Sequence, residues 1–390
     1  MTTAAEDPAR GFRLYRPALA PPAEPVRPLD GIDWRGGLVV RAVNWLGDTF
    51  MALPAVYQVR LRLPPEAKLH VLCGANLAPA WQCMSWVDGV IPFPGARADR
   101  AARAAVRRLD PGAALILPNS FGAAWDLFNL SIPRRAGRAG RMRTPLLTDT
   151  LPPLPPAEDR GARHQLSEYL ELASLFGETP SVFLPAPVRT ENPAAVCARL
   201  GIPADRPLLA LAPGAAYGPA KQWPAEFFHA VARWWTDRGG RAVVVGSPKE
   251  AAVGEAVLEG LAGCVNAAGK TTIPEMMALL RGCRALVSND SGAMHLAAAA
   301  GVDGVALFGS TDPGATGPLG GRWVVLNDQA DCSPCFQRNC RFTGGECRCL
   351  RVIPPERVCS ALEWLLGAAV AGDDFSTQKN ATNQTENTTT

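Results

Sequence analysis

Three turns in this chain carry side chains that could do chemistry. The first is Ser288-Asn289-Asp290-Ser291-Gly292, set between the apolar run Ala285-Leu286-Val287 and the helix-forming stretch Ala293 to Ala300, which ends at Gly301. This pattern predicts a strand, a tight polar turn and a helix. The N–H groups of Ser291, Gly292 and Ala293 would then face out of a helix N-terminus, a ready anion site. His295 lies one turn in and could reach the same mouth. An ordinary capped helix that binds nothing is the plainer reading.

The second turn is Asn44-Trp45-Leu46-Gly47-Asp48, between the strand Gly37 to Val43 and a helix from about Thr49 to Leu61. Asp48 falls at or next to the N-cap. It either caps its helix, worth ~1 kcal/mol, or acts as a general base at the carboxyl end of a strand, where open α/β sheets bind ligands. The third turn is the Gly-rich loop Gly214 to Pro224, after the strand Pro207 to Pro213. Such a loop can wrap phosphates, with Lys221 as counter-charge. It lacks the spacing of a Walker loop.

The elements that position these turns follow one pattern. Apolar runs alternate with helical stretches, which predicts parallel sheets. Lys68 to Cys73, Val90-Ile91, Ala113 to Leu117 and Arg134 to Gly137 read as strands of a first domain. Asn119 and Ser120 make another polar mouth, and the basic helix Arg97 to Leu109 reads as a solvated face. Arg134, Arg135, Arg138, Arg141 and Arg143 are either surface charge or a site for a phosphorylated or carboxylated partner. His164, near the start of a helix running from about Arg163 to Gly177, is expected to be exposed. After a linker from Pro180 to Pro193, the strands Arg241 to Gly246, Val265-Asn266, Ala285 to Val287 and Gly304 to Phe308 make a second domain. Each half reads as its own doubly wound domain, and their polar turns would face a shared cleft.

Composition fits this reading. The 390 residues are 47% apolar and 19% charged, enough for two domains with sizeable cores. A net charge of +3 argues against a nucleic-acid footprint. Residues 1–36 show no signal peptide, and no apolar run is long enough to span a bilayer, so a cytosolic protein is expected. Residues 1–36 form an extension that is expected to be partly disordered, and 373–390 a disordered tail. Cys332, Cys335, Cys340, Cys347 and Cys349 crowd one segment among eleven cysteines. Its C-x-x-C spacing suits a metal, while a reduced cluster that stabilises a loop is the plainer reading.

Four motifs together carry a resemblance. Asn44 to Asp48, Pro213-Gly214-Ala215 with Lys221 to Pro224, Val245-Gly246-Ser247, and Ser288 to Ala297 resemble the ADP-heptose:lipopolysaccharide heptosyltransferases, glycosyltransferase family 9. Cys332 to Cys340 is similar to the heptosyltransferase II branch, and the likeness runs from about Gly37 to Leu366. It implies a GT-B fold, in which two Rossmann-like domains face each other across a cleft. Residues 37–185 would bind the acceptor and 186–355 the ADP-heptose, with a terminal helix at 356–372. The implied reaction is inverting transfer of a heptose to a heptose or Kdo of the lipopolysaccharide inner core, with no required metal and with peripheral contact at the inner membrane. Asp48 would be the base and Lys221 would neutralise the diphosphate. Gly214, Gly246, Ser247, Asp290, Ser291, Gly292, Ala293 and His295 would line the donor site. Asn44, Trp45, Asn119, Ser120, Arg141 and Arg143 would meet the acceptor. Another GT-B nucleotide-sugar enzyme, an epimerase or a different sugar transferase, and a metal- or redox-binding module through the cysteines stand as alternatives.

Overall fold

The structure is a computed structural model. It describes residues 6–7, 11–20, 25–155, 163–178, 183, 185–186, 188–328, 330–342 and 347–370. The expected disordered tail and parts of the N-terminal extension and of the linker lie outside the described residues.

The first sheet is built from β1 (Leu38–Arg41), β2 (Leu69–Gly74), β3 (Gly89–Phe93), β4 (Ala113–Ile116), β5 (Arg134–Arg138) and β6 (Asp149–Leu151). The second is built from β7 (Leu208–Ala212), β8 (Arg241–Val244), β9 (Val265–Asn266), β10 (Ala285–Asn289), β11 (Gly304–Leu307) and β12 (Trp323–Leu326). Every pairing in both sheets is parallel, in the orders β3-β2-β1-β4-β5-β6 and β9-β8-β7-β10-β11-β12. This is the doubly wound order, which reverses direction beside β1 and again beside β7. The reversal opens a crevice at the carboxyl ends of β1 and β4, and another at those of β7 and β10. All three reactive turns leave one of these strand ends.

Side chains on each strand divide between two faces, because successive residues point opposite ways. Leu38 and Val40 face an inner core with helix α1 (Leu46–Arg60), whereas Val39 faces an outer one with Ala114 and Ile116. In the second sheet Leu208, Ala210 and Leu286 face the same inner core, and Leu209, Leu211 and Val287 face away from it. The inner core therefore runs through both domains. At its centre α1 packs against the helix Gly292–Ala299 of the second domain.

The N-terminal extension ties the halves together. Leu14 bridges to Val324 and the Tyr15 N–H bonds the Trp323 carbonyl at 2.7 Å, so the segment covers the outer edge of the second sheet. The Tyr15 hydroxyl donates to the Pro313 carbonyl at 2.8 Å. The segment then crosses to the first domain, where Ala18 accepts from the His164 N–H at 3.0 Å and the Ala20 N–H reaches Ser167 Oγ at 3.1 Å.

His164 is consequently not exposed, contrary to its position at a helix start. It is fully buried, with Nε2 at 3.0 Å from the Gly317 carbonyl and Nδ1 accepting from the Leu166 N–H at 3.0 Å. The segment and the 313–317 turn close over it, and burial pulls its pKa down to about 4.

Candidate active site

A cavity of about 600 Å³ lies between the domains. The first domain contributes Trp45, Leu46, Gly47, Asp48 and Met51; the second contributes Gly214, Tyr217, Lys221, Gly246, Ser247, Asp290 to Ala293, and His295. All the expected donor residues thus meet at one site, with Asp48 and Trp45 opposite them.

Asp48 does not cap its helix. α1 begins at Leu46, three residues before the expected start, and its N-cap residue is Trp45, which makes no side-chain cap bond. Asp48 stands in the first turn, where the helix dipole favours a negative charge. The early start is held by packing across the cleft. A Cβ on Gly47 would lie 2.9 Å from His295 Cδ2, and one on Gly292 would lie 3.2 Å from a Leu46 methyl carbon. A side chain at Gly47 would have to displace the buried His295 ring, and one at Gly292 would press on Leu46, so the glycines ease the close approach of the two helix N-termini. Both positive helix ends consequently border one cavity.

Burial is the largest influence on Asp48. It lifts the carboxyl from 3.8 to about 6, with Lys221 opposing and Asp290 and Glu168 adding to the rise. Such a carboxylate is ionised near neutrality yet basic enough to accept a proton. His295 moves the other way. Its burial lowers the imidazole to about 4, so it is neutral in the same range, and its Nδ1 is buried without a partner among the described residues.

Lys221 is held in place from several sides. Its Nζ lies 2.5 Å from Asp290 Oδ2, which also accepts from Thr311 Oγ1 at 2.6 Å. The Tyr217 ring lies 4.9 Å from Lys221 Nζ and 5.2 Å from the Arg338 guanidinium, so one ring gathers two cations at the cavity wall. Asn289 fixes the loop that carries Lys221. It is fully buried, accepts from the Trp223 N–H at 3.0 Å and donates to the Pro213 carbonyl at 2.7 Å.

Glu250, Arg338, Tyr217, Asn289 and Thr311 were not among the candidates read from the sequence. Glu250 accepts from the Ser247 N–H at 2.6 Å and fills the space beside Gly214, where a Cβ would lie 1.9 Å from its Oε1. Tyr217 stood in a loop already singled out. Asn289 and Arg338 also lie in stretches singled out above, but their roles carry no local signal, because their partners are distant in the chain.

Five expected acceptor residues do not line this cavity. Asn44 accepts from the Arg41 guanidinium at 3.3 Å, Ser120 caps the helix α2 (Phe121–Phe128), and Asn119 Oδ1 is buried without a described partner. Arg143 is fully buried, with its guanidinium on the main-chain carbonyls of Arg138, Pro118 and Ser120. Arg141 is exposed on a loop. Arg134 and Arg138 are likewise taken up internally, by Asp149 and Glu171.

The crowded cysteines do draw together. Cys340, Cys349 and Cys335 surround Cys347, whose thiol is pushed up to about 12, chiefly by burial. Among the described residues, however, no three His, Cys, Asp or Glu side chains are grouped to hold a metal ion. The segment instead braces the donor loop, since the Arg338 carbonyl accepts from the Ala220 N–H at 3.1 Å and the Phe336 carbonyl from the Tyr217 hydroxyl at 2.9 Å.

Two doubly wound domains facing across a cleft make a GT-B fold, here with a lysine and a helix N-terminus on the second domain and a desolvated carboxylate on the first. The chain belongs to glycosyltransferase family 9 (heptosyltransferase), which it matches over residues 100–345. It is 32% identical to lipopolysaccharide heptosyltransferase 2 of Escherichia coli (strain K12) over 311 residues, covering 74% of this chain and 87% of that one. It is 28% identical to lipooligosaccharide heptosyltransferase 2 of Haemophilus influenzae, over 74% of this chain and 88% of that one. The solved structure of E. coli ADP-heptose lps heptosyltransferase II superposes with a TM-score of 0.73 at 30% identity, over 86% of this chain and 99% of that one. Family membership disfavours the epimerase and metal-module readings.

Proposed function

We propose that this enzyme moves a heptose from ADP-L-glycero-D-manno-heptose to a sugar of the lipopolysaccharide inner core, with inversion and without a required metal. The observation that carries the reading is the pairing of Asp48 with Lys221 and a helix N-terminus across one cavity. The acceptor hydroxyl attacks the anomeric carbon as Asp48 takes its proton. The bond from that carbon to the diphosphate oxygen breaks, and ADP leaves with added negative charge. Lys221, Arg338 and the N–H groups of Gly292 and Ala293 offset that charge, as a divalent cation would in a metal-dependent enzyme. Direct attack on the face opposite the leaving group inverts the centre. The acceptor is a heptose or a Kdo, and it approaches past Trp45, which is 56% exposed at the cavity wall.

The test is to incubate the purified protein with ADP-heptose and a panel of heptose-deficient core oligosaccharides, with and without EDTA. One heptose should be added to one acceptor, equally with chelator present. No transfer to any acceptor would overturn the activity, and loss of transfer that magnesium restores would overturn the metal-free mechanism.

A further inference from the structure

Residues 11–20 form a strap that grips a turn on the donor side of the cavity. The strap precedes Gly37, ahead of the stretch that resembles family 9. Phe12 is buried with its ring 6.0 Å from that of Trp364, and Leu14 and Tyr15 are pinned to Val324 and Trp323. These contacts fix the strap to the second domain. Tyr15 then reaches the turn 311–317. Its hydroxyl donates to the Pro313 carbonyl at 2.8 Å, and its ring lies against Gly317, where a Cβ would come within 2.2 Å of Tyr15 Cζ. Burial and the nearby Asp312 push the phenol pKa upward, so the hydroxyl remains a donor at neutral pH.

The same turn is held from the first domain. The Gln165 N–H donates to the Ala315 carbonyl at 2.9 Å. His164 Nδ1 accepts from the Leu166 N–H, so Nε2 carries the ring hydrogen and donates it to the Gly317 carbonyl at 3.0 Å. The strap closes over this contact, with the Ala18 carbonyl on the His164 N–H and the Ala20 N–H on Ser167 Oγ. The carbonyls of Pro313, Ala315 and Gly317 are thus taken by the strap and the first domain, which fixes the backbone of the turn.

On its inner side the turn meets the donor groups. Thr316 lines the cavity. Asp312 accepts from the Gly314 N–H at 2.8 Å, and one residue earlier Thr311 Oγ1 donates to Asp290 Oδ2 at 2.6 Å. That same oxygen holds Lys221 Nζ at 2.5 Å. Contacts therefore run without a break from Tyr15 through the turn and Asp290 to Lys221.

We infer that the strap positions the donor site: residues 12–20 hold the 311–317 turn so that Thr311 stays on Asp290 and Asp290 keeps Lys221 aimed at a diphosphate. The inference rests on the proposed function for one point, that Lys221 meets the diphosphate of the donor. A loosened turn lowers the fraction of protein competent to bind, and apparent affinity falls with that fraction. Saturating donor draws the turn back into place.

ADP titrations and donor kinetics on the full chain test this with Tyr15→Phe, Tyr15→Ala, Thr311→Val and the double variant Tyr15→Ala with Thr311→Val. Tyr15→Phe keeps the ring and loses one hydrogen bond, whereas Tyr15→Ala loses both. The Kd for ADP should rise about threefold in the first and about tenfold in the second. In both, the KM for ADP-heptose should rise in step while kcat stays near wild type. A strap that only stabilised the fold would lower kcat through lost folded protein and leave KM and Kd unchanged, and that result overturns the inference. In the double variant ADP affinity should fall no further than in the weaker-binding single, because both changes act through Asp290; losses that multiply overturn it as well. Amide exchange at Gln165, Thr316 and Gly317 needs no ligand and should quicken in both Tyr15 variants, and unchanged exchange in folded Tyr15→Ala also overturns the inference. If the wild type transfers no heptose, the proposed function fails, while the ADP titrations and the exchange still decide the role of the strap.

Discussion

Burial in the cleft holds the Asp48 carboxyl at about 6, against 3.8 when free, and two consequences follow at the residue scale. Turnover needs the ionised form, so kcat should fall as pH drops through about 6, and a profile flat to about pH 4.5 would contradict the assignment. Stability runs the opposite way. Between the free and folded values the folded state binds the proton more tightly, so stability is greatest below the free value and declines as pH rises through about 6. The ionised carboxylate then costs on the order of 2–3 kcal/mol. Asp48→Asn should therefore melt at a higher temperature than wild type at about pH 7.5, and at nearly the same temperature at about pH 4. Equal melts at both pH values would mean that Asp48 is not desolvated. Its place after a strand marked Asp48 as either a cap or a base, and the resemblance implied the base. Its altered basicity was not legible, because the groups that bury it and act on it include Lys221 and Asp290 of the other domain.

At the scale of elements, local sequence predicted most strands and misplaced the ends that matter. Trp45-Leu46-Gly47 holds no good capping residue and a poor helix former, so α1 appeared to start at Thr49. Contact of Leu46 with Gly292 across the cleft supplies what local propensity lacks. Arg143 was read as a candidate for binding an anion and instead holds a loop, since five donors in a fixed fork suit clustered carbonyls as well as carboxylates. The donor loop depends on Asn289 in the same way. Asn289→Ala should leave the Trp223 N–H and the Pro213 carbonyl unpaired in the interior, destabilising the protein by roughly 1–3 kcal/mol. ADP binding should weaken while the loop loosens around Lys221. A melt and an ADP titration check this, and ADP affinity equal to wild type would show that the loop is positioned without Asn289.

The plan of two doubly wound domains was legible because apolar runs and polar turns alternate throughout, and the resemblance to family 9 implied the GT-B fold. The strap formed by residues 11–20 was not legible. Tyr15 and Pro313 are 298 residues apart, and nothing in a proline- and alanine-rich stretch foretells that Phe12 is buried against the second domain. β12 is the last strand of its sheet, and the strap covers its free edge. Removing residues 1–20 should therefore lower the melting temperature and raise light scattering on heating. An unchanged melt without aggregation would mean that the strap contributes nothing to holding the halves together.

Asp48→Asn tests the central claim most directly, through the rate of heptose transfer at saturating substrates and neutral pH. Asparagine keeps the shape and cannot take the proton. The account predicts a folded protein with wild-type ADP affinity whose turnover is reduced roughly 10²–10⁴-fold, the usual contribution of a general base. Retention of most of the turnover in that folded variant would contradict it and place the base elsewhere.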